Sequence, residues 1–158
     1  MGAFQTKRID LYYGLLIAGG LIAFFLLMKF TGLVHIVELR VLNLFIMAGG
    51  IYMALKRFRQ TDLNQQFNYI RAFLFGVSTS IFASFLFALF VFIYVSFIDR
   101  ALMQAIIEKE PMGRYLNPYV VSFIIAVEGI LSGILVTFIL INAKSANEIE
   151  DEVKNRKL

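Results

Sequence analysis

The chain has 158 residues, 59% hydrophobic and only 16% charged, with a formal net charge of +4 and no cysteine. That is too much apolar surface for a soluble domain of this length. The lack of cysteine excludes disulfide staples, thiol catalysis, thiolate metal sites and a lipoprotein-type anchor. The basic excess does not point to nucleic acid, because Lys and Arg stand at the ends of apolar runs, where membrane topology puts them.

Lys7 and Arg8 precede the first apolar run, 11–28. The run is longer than a signal core and no persuasive small-residue cleavage site follows it, so it reads as an uncleaved first span. His35 and Glu38 come next, on one face of the start of the second helix. Two ligands do not make a metal site, and they read as an interfacial polar pair. The second run, 41–55, rises only about 22 Å, so a span needs help from snorkelling Arg40 and Lys56. A polar stretch, 57–71, keeps Leu63, Phe67 and Ile70 at helical spacing, as a short interfacial helix would. The third run, 72–98, is 27 residues without a charge, enough for a bilayer core about 30 Å thick.

After it, 99–110 reads as a short outer helix with Leu102 and Ile106 on one face, stopped at Pro111-Met112-Gly113. Its acids, Asp99, Glu108 and Glu110, each have Arg100 or Lys109 as a neighbour and read as a solvated mixed-charge loop. Asn117 and Pro118 then form a helix start, an amide cap followed by proline at the first helical position. The last run, 115–143, is broken only by Glu128, and helix-forming residues continue into the charged end.

The expected fold is all-α: a polytopic membrane protein with four transmembrane helices in an antiparallel bundle. The helices are placed at about 9–30, 36–56, 71–98 and 117–144, in one domain, 1–158, with a charged cytoplasmic tail at 145–158. Ten Lys and Arg fall on the side of the termini and five on the other, so both termini are expected in the cytoplasm. The seven tyrosines stand near helix ends, the depth amphipathic rings prefer.

Burial alone cannot drive helices together in lipid, so small residues and a few polar contacts must. Gly19, Gly20, Gly49, Gly50, Gly76, Ser80, Ala88, Gly129 and Gly133 are the expected packing positions. They exceed what one four-helix interior needs, above all on the third helix, and a stripe left facing lipid would be an oligomer contact.

Glu128 is the candidate intramembrane site, with Ser132 one turn on and Ser84 and Asn43 at similar depth. An isolated carboxyl in hydrocarbon becomes a neutral donor and acceptor. The leading reading is therefore interhelical glue, a protonated Glu128 bonded to Ser84 or Asn43, or a docking point for a partner. A proton carrier or ion ligand is the rival. No intramembrane Lys, Arg or Asp accompanies it, and no nucleophile, zinc or phosphate-loop motif occurs. Neither enzyme activity nor a cofactor is expected.

"ALKRFRQ" (54–60), "YIRAFLFGVSTSIFASFLFALFVFIYVSFIDRALMQ" (69–104) and "EGILSGILVTFILINAKSAN" (128–147) together resemble a family of small four-span bacterial inner-membrane proteins classed as a domain of unknown function (DUF4199-like). The Phe-Gly entry into helix three, the "FIDR" exit and the Gly-rich last helix carry the resemblance. The resemblance implies a fold and an inner-membrane location, and no activity. Typical members carry a longer charged segment between helices three and four than this chain does. The expected role is an accessory or assembly subunit, with the lipid bilayer and a second copy or another membrane protein as partners. The alternative is a small dimeric proton-coupled transporter in which Glu128 titrates.

Overall fold

The computed structural model describes residues 2–32, 41–61, 69–109 and 113–155. His35, Glu38 and Glu110 lie outside them. The described residues form five α-helices: α1 (Gly2–Phe30), α2 (Val41–Thr61), α3 (Tyr69–Ile93), α4 (Arg100–Lys109) and α5 (Pro118–Asn155). Four segments are long and apolar enough to cross a membrane: Ile9–Phe30, Val41–Gln60, Tyr69–Ile98 and Pro118–Ala143. Within hydrocarbon a helix is one of the few ways to satisfy every backbone N–H and C=O.

The helix ends follow local chemistry. Gly32, at φ 73°, closes α1, and the Gly32 N–H donates to Lys29 O. The Asn117 side chain accepts the Val120 N–H at 2.9 Å, the cap expected from Asn-Pro. The tail continues α5 as helix to Asn155. Of the stretch 57–71, residues 57–61 continue α2 and 69–71 begin α3, while Leu63 and Phe67, expected on a short interfacial helix, lie outside the described residues.

Facing residues give the helix directions. Gly50 seats on Ile17 while Gly20 meets Ile46, so α1 and α2 are antiparallel. Gly14 lies against Phe82, and Phe25 meets Phe87, Phe90 and Tyr94 edge-on, so α1 and α3 run parallel. Gly76 packs on Thr137, Ser80 on Gly133 and Ser84 on Gly129, which makes α3 and α5 antiparallel. Around the bundle the order is α2, α1, α3, α5, with α2 and α3 also touching across the middle, where Phe58 stacks on Phe75 at 4.5 Å. Spanning helices consecutive in the chain are antiparallel, and α1–α2 and α3–α5 are also neighbours around the ring, whereas α2 and α3 face each other across it.

The α3–α5 seam is a ladder. At each of three rungs, four residues apart on both helices, a glycine faces a hydroxyl residue. The glycine removes a side chain and lets the backbones approach. Ala88 is buried one turn beyond. The small-residue stripe of the third helix is therefore consumed inside the chain, and the expectation of a surplus stripe facing lipid is corrected there. Gly19 and Gly49 are the exceptions among the expected packing positions. Both are exposed, and a Cβ on either would meet nothing within 4 Å.

Candidate intramembrane site

Glu128 falls within one turn of the middle of its span, and its neighbour in sequence fixes which way it points. Gly129 and Gly133 must face α3, because only their lack of a side chain admits Ser84 and Ser80. A step of one residue turns a helix by about 100°, so Glu128 is carried off the seam. It is exposed, on the outer face of α5 with Ile124, Val127, Leu131 and Leu135. It has no hydrogen-bond partner among the described residues. Ser132, one turn on, is half-buried at the edge of that face.

The other expected members stand elsewhere. Ser84 is buried in the seam against Gly129, and its Oγ has no partner among the described residues. Asn43 is half-buried, its Oδ1 enclosed and likewise without a partner. The glue expected between Glu128 and Ser84 or Asn43 is thus not formed in the bundle. The structure joins Ser84 to Gly129 and leaves Glu128 outside. The apolar alternation around Glu128 is the same on both flanks, so only the rotation of α5 set by the ladder reveals the difference.

Two polar contacts were not anticipated from the sequence. At the far end from the termini, Lys29, in the last turn of α1, donates to Asp99 Oδ2. Asp99 Oδ1 also accepts the Leu102 N–H at 2.9 Å, capping α4. The preceding turn, Tyr94–Ile98, is widened to a π-helix, and the Asp99 N–H reaches back to Tyr94 O at 2.9 Å. Asp99 therefore ends one helix, starts the next and ties both to α1. The Lys29 ammonium and the capping N–H hold its carboxyl below its ordinary value near 3.8. Its partner is Lys29 and not the adjacent Arg100, whose Nε donates to Ser96 O. Near the other end, Asp10 Oδ2 accepts a hydrogen bond from Ser78 Oγ at 3.1 Å, between α1 and α3. Neither pair lies close in sequence, so spacing offered no signal.

Among the described residues no three His, Cys, Asp or Glu gather as a metal site. The model of a family described as a protein of unknown function, DUF4199, matches residues 12–140. No curated protein and no solved structure matches the chain.

Proposed function

The chain belongs to the DUF4199 family, and from that membership and its four membrane spans we propose that it is a non-enzymatic accessory or assembly subunit of the inner membrane. In this reading it packs against a second copy or another membrane protein, with both termini in the cytoplasm. The carrying observation is Glu128, exposed at mid-span among apolar side chains. An acid at that depth costs about 3 kcal/mol on insertion scales. A neighbouring transmembrane helix offering a hydrogen bond or a cation offsets that cost. The Lys and Arg bias toward the termini supports the orientation.

The absence of native cysteine makes the test direct. Single cysteines at Ile124 and Leu131, on the Glu128 face, are expected to cross-link in native membranes, and one at Leu74, on the outer face of α3, is not. A monomer in mild detergent at all concentrations, with no cross-link from that face, overturns the reading. The same exposed carboxyl supports a second reading, a dimeric proton-coupled transporter. There Glu128→Gln abolishes proton movement, whereas in the assembly reading Gln keeps the hydrogen bonds and the association.

A further inference from the structure

A groove of about 540 Å³ opens on the outer side of α3, between α1 and α5. Its floor is the α3 stripe Leu74, Ser78, Ile81 and Phe85; Ala126 and Ile130 of α5 form one wall. Asp10 closes the end nearest the termini, one residue inside the first span. From Leu74 to Phe85 is about 16 Å of helix. That is close to half of a hydrocarbon core about 30 Å thick. The groove therefore runs from headgroup depth to mid-membrane and stops. Beyond it, Phe92 and Tyr119 pair across α3 and α5 with ring centroids 4.9 Å apart. A transmembrane partner helix would need both leaflets, whereas one acyl chain needs one.

The polar end selects among lipids. Asp10 Oδ1 accepts the Leu11 N–H at 2.8 Å and Oδ2 accepts Ser78 Oγ at 3.1 Å. A carboxylate has about four acceptor positions, so about half stay open on this groove-lining side chain. A primary ammonium brings positive charge and three N–H donors to them, while a choline headgroup brings charge and no donor. Charge-assisted hydrogen bonds are the stronger kind.

We propose that this groove is a lipid site. It seats one acyl chain of a phospholipid from the leaflet on the side of the termini, with Asp10 reading a primary ammonium headgroup. The size suits a single small ligand.

The test uses the full chain in detergent micelles, titrated with dioleoyl phosphatidylethanolamine or dioleoyl phosphatidylcholine and read by native mass spectrometry. The ethanolamine lipid is expected to bind about tenfold more tightly, the order of one charge-assisted hydrogen bond. Asp10→Asn brings the two within about twofold. Val77→Phe, which fills the groove, weakens both. On the unaltered protein, stepwise N-methylation of the headgroup lowers binding as donors are lost, a measurement independent of whether any variant folds. Equal binding of the two lipids, a preference kept in Asp10→Asn, or indifference to N-methylation overturns the proposal.

Discussion

A Cβ built on Gly129 would stand 2.9 Å from the Cβ of Ser84. That near-contact sets the rotation of α5, and with it the outward direction of Glu128.

Filling the seam should therefore break it. Gly129→Val and Gly133→Val drive a branched side chain into Ser84 and Ser80 of α3, and overpacking costs about 1–3 kcal/mol. Gly19→Val and Gly49→Val, with open space around them, are expected to change stability by less than about 0.5 kcal/mol. Unfolding of the four variants in mixed micelles by added anionic detergent checks the contrast.

The hydroxyl on the other side of that rung is dispensable. Ser84 Oγ is buried without a partner among the described residues, and such a group carries desolvation cost with no bond to offset it. Ser84→Ala is expected to be neutral or to stabilise by about 1 kcal/mol. The same micelle titration, showing instead a loss above that size, would mean the hydroxyl has a role in the seam.

Glu128 behaves differently in the two tests that bear on it. Glu128→Leu removes no hydrogen bond to a described residue and replaces an exposed side chain, so monomer stability in micelles stays within about 0.5 kcal/mol of the parent. Association in the native membrane falls, and Glu128→Gln restores most of it. A large loss of monomer stability in Glu128→Leu would place the carboxyl inside the bundle after all.

The clasp between Lys29 and Asp99 gives a pH signature. The Asp99 carboxyl titrates lower in the folded protein than in the unfolded chain. Its contribution is thus fully present above its ordinary value and is lost as pH falls through the lowered one. Thermal stability should hold from neutral pH down to about pH 5 and decline below about pH 4. In Asp99→Asn this part of the decline is missing. The clasp is partly exposed, so at neutral pH the variant loses about 1 kcal/mol or less from the ion pair, while the amide oxygen keeps the α4 cap, Asn and Asp being equally good there. Melting curves across that range, parent against variant, measure both.

Much of the architecture was legible before folding was considered. Hydropathy alone placed the spans, because a helix crossing hydrocarbon must be apolar along its whole length. The Asn117 cap and the break at "FIDR" were legible as local chemistry, although what Asp99 binds was not. The small residues at four-residue spacing announced close packing but not its partner. Gly19 and Gly20 look equivalent in sequence, as do Gly49 and Gly50, yet Gly20 and Gly50 face neighbours and Gly19 and Gly49 do not.

The candidate site shows the same division. Sequence singled out Glu128 by the cost of its carboxyl, and placed Ser84 near it in depth. It offered no rotation, and one residue of rotation separates a shared interior carboxyl from an exposed one. Asp10 and Ser78, 68 residues apart, were invisible as a pair.

By itself, then, the sequence determined that this is a four-span helical membrane protein with one costly acid at mid-depth, since transfer energies belong to residues wherever they are placed. Tertiary structure alone decided the ring order, the outward face of Glu128, the clasp on Asp99 and the groove headed by Asp10. These depend on which helix faces meet, and three glycine-against-hydroxyl rungs settle that for α3 and α5.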